Sequence, residues 1–561
     1  MARTPLFDLV QRSIRLAQIA AARGEPLDEV AGRALSRTRG PGDISRRRFL
    51  AITAAASAAI ALDGCLPRRR TTNPLPEPRD DLEPVLIIGA GIAGLTAAYR
   101  LRQHGVPVRV IEAQQRVGGR MYSLRGAFAD AQVCELGGEL IDTGHSSIRA
   151  LAEELGIALD DLRETDAGFD ADVWWVGGAR RSTAEVIASL APVAARLDAD
   201  RASWPEEFDP TYRNPTGAES LDRMTIAQWL DGAGASGWIR ELLDVAFTTE
   251  YGMALDEQSA LNMLTMLTVR AGSLEMYGES DERFHVHEGN DTIPLALARY
   301  LGDAIETGTV LESVSRRGDG RFVSSLRRGS SSSDATASHL LLAIPFTTLR
   351  NVRLDLPLPE VKRRAIAELG YGKNAKLMVG FSERVWRTRY ESNGSVMTSL
   401  PFQTTWETSR GQSGSAGIIT NFTGGAHALE LGRGTAEDQA RQMVADFDRV
   451  FPGARSAHEG MKSVRFHWPS FPWTLGSYAG YHPGQWTSIR GAEAEPVGRL
   501  YFAGEHCSLP AQGFMEGGCE TGESAAKAIL SSLRVAVNDG VRSLISSELD
   551  SGRATVQLAR N

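Results

Sequence analysis

Val85-Leu86-Ile87-Ile88 is a continuous apolar run with no polar break. Such a run predicts a parallel strand buried on both faces. It passes straight into Gly89-Ala90-Gly91-Ile92-Ala93-Gly94, after which Leu95, Ala98, Tyr99 and Leu101 take helical spacing. A second apolar stretch from Val106 to Ile111 predicts another strand, which stops at Glu112. Far downstream, Arg499-Leu500-Tyr501-Phe502 predicts a strand and turn, followed by a helix through Ser524, Ala525 and Ile529. Strand, tight turn, helix, strand and acid in that order place the glycines where a backbone can approach a pyrophosphate.

Upstream of residue 84 the pattern speaks of location. Leu6, Leu9, Val10, Ile14 and Leu16 fall on one broad helical face, so a small helix is expected within residues 1–44. In the segment 45–65, Arg46-Arg47 precedes Phe49-Leu50 and an Ala-rich apolar run of about fourteen residues. The run is too short and too weakly apolar to span a bilayer. It resembles a twin-arginine export signal, whose cargo crosses the membrane already folded. The resemblance implies the export machinery as a partner and a periplasmic or other extracytoplasmic destination. Cys65, after Leu62-Asp63-Gly64, is similar to a lipoprotein box in which Asp63 replaces a small residue. A lipid anchor at Cys65 and cleavage after Ala59-Ile60-Ala61 are the alternatives, and membrane attachment is expected only through the signal or that anchor. Residues 66–83 are Pro-rich and charged, a linker, and the tail 536–561 carries a weak helical pattern without a chemical signature.

Composition narrows the function classes. A chain of 561 residues with 42% hydrophobic and 23% charged residues has length for two or more domains. Its net charge of -8 offers no electrostatic footprint for nucleic acid. Four cysteines (Cys65, Cys134, Cys507, Cys519) are too few for a disulfide scaffold and match no metal spacing, so no metal is expected. No stretch of 18 apolar residues occurs, which excludes a multi-pass membrane protein.

Gly89, Gly91 and Gly94 form G-x-G-x-x-G, and Glu112 lies eighteen residues past Gly94, placed to accept a ribose diol. A carboxylate there argues against a 2'-phosphate. Two further glycine pairs follow, in Arg116-Val117-Gly118-Gly119-Arg120 and Glu135-Leu136-Gly137-Gly138-Glu139. The far end adds Phe502-Ala503-Gly504-Glu505 and Gly513-Phe514-Met515-Glu516-Gly517. Together these motifs resemble the flavin-containing amine oxidase family, which includes monoamine oxidases, polyamine oxidases and L-amino acid oxidases. The resemblance covers about residues 84–533 and implies FAD as cofactor. It places Arg120 under the pyrophosphate, Gly137 and Gly138 beside the flavin, and Val310 against adenine. Gly504 and Glu505 belong near the ribityl-pyrophosphate, Met515 at the helix end facing the flavin pyrimidine, and Trp468 near the isoalloxazine.

The fold this implies is α/β, a doubly wound, Rossmann-like FAD-binding domain joined to a mixed α+β substrate domain. The glycine turn and the closing helix lie about 400 residues apart, so the FAD domain must be discontinuous. It is assigned residues 84–149, 281–345 and 461–535, and the substrate domain residues 150–280 and 346–460.

The same resemblance supplies candidate catalytic positions. Lys376, ten residues before Trp386, takes the place of a lysine that holds a water against flavin N5 and assists O2. An ammonium in an apolar strand is costly unless used or paired. Tyr478 and Phe514 stand where two aromatic walls steer an amine, although a Tyr is typical at the second. Ser477 occupies the position of a tethering cysteine, and since a hydroxyl cannot make a thioether, FAD is expected to be non-covalent unless Cys507 or Cys519 lies near it. Glu139 either faces the pocket and favours a cationic substrate or forms a structural ion pair. Trp229, Phe247, Tyr251 and Met253 are apolar groups of the kind that line such pockets or fill a core. The leading expectation is an amine oxidase acting on a small amine with O2. Its alternatives are an L-amino acid oxidase, separable by an arginine facing the pocket, and a flavin desaturase or protoporphyrinogen-oxidase-like enzyme.

Overall fold

The computed structural model describes residues 75–535 apart from Ala171, Glu206, Ala271, Gly272 and Glu279. The expectations for residues 1–44, for the export segment 45–65 with Cys65, and for the tail 536–561 lie outside the described residues.

Val85–Ile88 is the middle strand of a five-stranded parallel sheet. The order is Ile305–Glu306, Val108–Ile111, Val85–Ile88, Leu340–Leu342, Leu500–Phe502. Its unbroken apolar run is explained by burial on both sides. Val85 and Ile87 pack with the helices Ile92–Gln103 and Met515–Ser532, while Leu86 and Ile88 pack with Leu311, Phe346 and Phe502. A four-stranded sheet covers that second face, in the order Ser331–Ala337, Phe322–Arg328, Thr309–Arg316, Arg353–Asp355.

The two helices meet because small residues let them. A Cβ at Gly522 would lie 2.4 Å from the Ala93 carbonyl oxygen, and one at Gly518 would lie 2.7 Å from Ile92 Cγ2. Chain segments more than 400 residues apart are thus clamped together, with Arg100 joining Glu523 at 2.7 Å and Glu154 at 2.6 Å.

A seven-stranded sheet forms the second layer system. Its order is Ser463–His467, Asn374–Phe381, Gly417–Gly424, Thr404–Glu407, Val396–Thr398, Val173–Val176, Ala179–Arg181. Asn374–Phe381 is buried at all eight positions, and its register sets Lys376 opposite Phe422 and Phe466. The helix Gly237–Tyr251 packs over this sheet and stops at Gly252, which takes φ +65°. That left-handed cap suits glycine, and a Cβ there would also collide with Asn374 Oδ1 at 2.1 Å. The stop leaves Glu250 and Tyr251 on a cavity wall. Among the described residues no helix is long and apolar enough to cross a membrane.

Candidate active site

The C-terminal edge of the parallel sheet, the seven-stranded sheet and the end of the helix Gly237–Tyr251 line one continuous cavity of about 1080 Å³. At one end it is built for a dinucleotide. Gly89 (φ +105°) turns the chain where a Cβ would strike the Ala343 carbonyl oxygen at 2.4 Å. Gly89 and Gly91 line the cavity; Gly94 does not, because its task is packing, with Gly89 O only 2.0 Å from where its Cβ would sit. The helix Ile92–Gln103 begins with no capping side chain and no acid in its first turn, so its first N–H groups are available to an anion. Gly118 bridges to Gly91 and completes the cradle.

Glu112 accepts the N–H groups of Ala90 and Gln114, each at 2.8 Å, and lines the cavity beside them. Burial pushes its carboxyl up, opposed by those N–H groups and by Arg116. The N–H of Thr309 donates to the Glu112 carbonyl, which brings Val310 to the same end of the cavity. An open helix terminus, a buried carboxylate and side-chain-free turns fit the pyrophosphate and ribose of FAD.

The middle of the cavity joins the two ends of the chain. Arg120 Nη1 donates to Glu505 Oε1 at 2.7 Å and to the Ser477 carbonyl at 2.9 Å. Glu505 also accepts the N–H of Gly513 at 2.8 Å. Gly137 cannot carry a side chain, since a Cβ would fall 1.8 Å from Arg120 O, and a Cβ on Gly138 would meet Met515 Cγ at 2.8 Å. Trp468 Nε1 donates to the Leu136 carbonyl at 2.9 Å and holds this strand in place. Gly504, Met515 and Trp468 all line the cavity here.

Lys376 and Glu139 also line it, bound to one another at 2.8 Å with each side chain only 5% exposed. Lys376 Nζ donates in addition to the carbonyls of Gly137 (2.8 Å) and Glu135 (3.3 Å), so its three donors are engaged. Glu139 takes a second hydrogen bond from Thr408 Oγ1 at 2.6 Å. Burial opposes the Glu139 charge, but the Lys376 ammonium and the hydrogen bonds from Lys376 and Thr408 outweigh it and hold the carboxyl below its ordinary range. Of the two alternatives for Glu139, the structure has the ion pair.

Tyr478 and Phe514 line the cavity as well. The Tyr478 hydroxyl donates to the Glu250 carbonyl, and Phe514 is held edge-on by His145, with ring centroids 5.0 Å apart. Ser477 lines the cavity and its hydroxyl donates to Asn374 Oδ1. Cys507 and Cys519 are buried away from the cavity lining, beside the Glu493 carbonyl and Thr96 respectively. Trp229, Phe247 and Met253 belong to the buried core, and only Tyr251 of that group reaches the cavity.

Sequence reasoning missed three carboxylates on the same walls. Glu250, Glu282 and Asp172 line the cavity, and among the described residues no hydrogen bond or ion pair reaches any of their carboxylates. Burial pushes Glu250 up to about 8, with Glu282 and Asp142 adding to the shift. Glu282, whose side chain is open to the cavity, is raised in the same direction by the surrounding protein, against the pull of Arg410. An acid in the last turn of a helix or on a connecting segment reads as solvated surface, and no local signal marks these as facing inward. Among the described lining residues the arginines are Arg120 and Arg327, bound to Glu505 and Glu312.

Residues 92–530 match the family described as flavin containing amine oxidoreductase. Flavin-containing amine oxidase B of Sus scrofa is 25% identical over 459 residues, covering 80% of this chain and 86% of that protein. An L-amino acid dehydrogenase of Synechocystis is 26% identical over 472 residues, covering 79% and 94%. Among solved structures, the cyclohexylamine oxidase from Brevibacterium oxydans superposes with a TM-score of 0.68 at 22% identity, covering 80% of this chain and 99% of that one.

Proposed function

The chain belongs to the flavin-containing amine oxidoreductases, and on that premise we propose that it is an FAD-dependent oxidase of a small amine. The observation that carries this reading is the continuity of the cavity. It runs from a dinucleotide cradle at Gly91 and Glu112 to an end walled by Tyr478 and Phe514, with unpaired carboxylates beside the rings. Bound FAD supplies the hydride acceptor and, on reoxidation by O2, the route to hydrogen peroxide. The residues that would hold it are Gly89, Gly91, Glu112, Arg120, Gly137, Gly138, Val310, Gly504, Glu505 and Met515, with Trp468 behind the glycine strand. Attachment is non-covalent in this proposal, because a serine stands at 477.

The protein's own part is to bind, orient and dry the amine. Tyr478 is fixed through its hydroxyl and Phe514 through His145, so both rings are held before substrate arrives. Between them an amine loses water, which favours the neutral form that oxidation of the adjacent C–H requires. The product is an imine, which water converts to an aldehyde and ammonia or a smaller amine. Lys376, fastened by Glu139, places a fixed positive charge beside the Gly137-Gly138 strand, where it assists the reaction with O2.

The Synechocystis relative favours a second reading, oxidation of L-amino acids. Against it, both described arginines of the cavity are committed to carboxylates, and neither is free to clamp a substrate carboxylate. The test is oxygen consumption by the full chain with matched pairs, each an amine and its α-carboxylated counterpart. Peroxide, aldehyde and ammonia formed from the amine alone support the proposal, and turnover of only the amino acid overturns it. We also propose export of the folded holoenzyme by the twin-arginine route, supported by Arg46-Arg47. Lys-Lys at those positions should leave the protein in the cytoplasm.

A further inference from the structure

An ordinary alkylamine that reaches this cavity at neutral pH arrives mainly as an ammonium ion, and its proton must go somewhere before the adjacent C–H can be oxidised. Lys376 and Glu139 are bound to one another, so neither is a free acceptor. Glu250 is different. It lies one residue from the end of the helix Gly237–Tyr251, its main-chain carbonyl receives the Tyr478 hydroxyl, and its side chain lines the same cavity. The three tyrosines around it send their hydroxyls elsewhere: Tyr478 to the Glu250 carbonyl, Tyr251 to the Asn262 carbonyl, and Tyr277 to the Ala246 carbonyl. Its carboxylate is half-buried and open to the cavity, and among the described residues no donor reaches it. A half-buried acceptor on a cavity wall with no protein donor is available to the N–H of a ligand.

Resting on the amine-oxidase reading, we infer that Glu250, backed by Glu282, takes the proton from the substrate ammonium. The N–H bond breaks, the proton passes to the carboxylate, and the nitrogen keeps the electron pair that later forms the C=N bond. The C–H electron pair leaves as hydride to the flavin. The proton on Glu250 returns to solvent through the cavity, past Glu282 and Asp172, which line the same walls.

The surroundings suit that task. The charged or titratable groups acting on Glu250 are Glu282, Asp142, Tyr251, Tyr277 and Tyr478, and none is a cation. The cation acting on Glu282 is Arg410, which is already bound to Asp166 at 3.1 Å. Burial raises Glu250 from 4.5 to about 8. Transfer from an alkylammonium, with a lysine-like pKa near 10.4, is then unfavourable by roughly a hundredfold rather than roughly a millionfold.

The test compares flavin reduction under anaerobic conditions for two amines of similar shape. One is an ordinary primary amine; the other carries an electron-withdrawing group beside nitrogen and is largely neutral at pH 7. With the basic amine at pH 7, Glu250→Gln should slow reduction on the order of a hundredfold, and the loss should shrink as pH rises toward the amine pKa. With the weakly basic amine the variant should stay within about threefold of wild type. Glu282→Gln should show the same pH signature with a smaller loss, which serves if Glu250→Gln folds poorly. Equal losses for both amines at every pH would overturn the inference and leave Glu250 a structural residue. A loss confined to diamines would also overturn it, in favour of a subsite for a second cation. In both cases wild type still bleaches with amines and the amine-oxidase reading stands; failure of wild type with every amine would remove both.

Discussion

Arg120 and Glu505 lie 385 residues apart in the chain and meet at 2.7 Å in the middle of the cavity. The contact fastens the N-terminal glycine segment to the C-terminal one, and Arg120 also holds the Ser477 carbonyl, so three chain segments share one guanidinium. Arg120→Ala strands a carboxylate that is only 7% exposed, which should destabilise the protein by about 3 kcal/mol. Flavin retained per protein after gel filtration should fall with it, while Glu505→Gln, which keeps hydrogen-bonding capacity, should be milder on both measures.

The Lys376–Glu139 pair yields a double-mutant cycle. Lys376→Met leaves Glu139 charged and buried, at about 3–5 kcal/mol, and Glu139→Gln in the same background should recover much of that. The pH dependence has a definite sign. Glu139 has a folded pKa below its unfolded one, so the stability it contributes is present above the ordinary glutamate range and lost as pH falls through the depressed value. Denaturant midpoints between pH 3 and 7 should therefore converge for wild type and the double variant at the acid end.

Glu250 has the opposite sign. Its folded pKa is raised to about 8 from 4.5, so between these values the folded protein holds more protons than the unfolded chain and loses stability as pH rises. Glu250→Gln should melt higher than wild type, by a margin that grows between pH 5 and pH 8.

Gly522 carries the approach of the two cofactor-domain helices. Gly522→Ala puts a methyl 2.4 Å from a backbone oxygen that cannot swing aside, and should cost about 1–3 kcal/mol. Gly144→Ala, where nothing lies within 4 Å of the added carbon, should be close to neutral in the same thermal melt.

On the proposed reading, a serine at 477 leaves the flavin without a thioether tether. Acid precipitation of the holoenzyme should leave the yellow chromophore in the supernatant, and chromophore in the pellet would contradict the proposed non-covalent binding.

What could be read along the chain was what is decided locally. Gly89 needs its positive φ and Glu112 ends its strand whatever the distant residues do, so the dinucleotide turn is visible in a short window. Gly94 was visible too, but its function is packing against Gly89 rather than lining the cavity. Lys376 announced that it needed a partner, since an ammonium in a strand buried throughout must have one. That the partner is Glu139, 237 residues away, depends on how the sheet meets the glycine strand. Glu250 and Glu282 were invisible for the same reason: a glutamate near a helix end looks solvated until the opposite wall of the cavity is known. The edge strand Ser463–His467 also follows long-range pairing, joining Asn374–Phe381 in the seven-stranded sheet although later residues of its segment build the cofactor site.

The central claim is that one cavity holds FAD at Gly91 and Glu112 and an amine between Tyr478 and Phe514. The most direct measurement is the visible spectrum of the purified full chain before and after anaerobic addition of an amine panel and an amino-acid panel. The expected result is a bound flavin band that bleaches with simple amines and returns when O2 is admitted. A chain that binds no flavin, or a flavin bleached by amino acids alone, would contradict it.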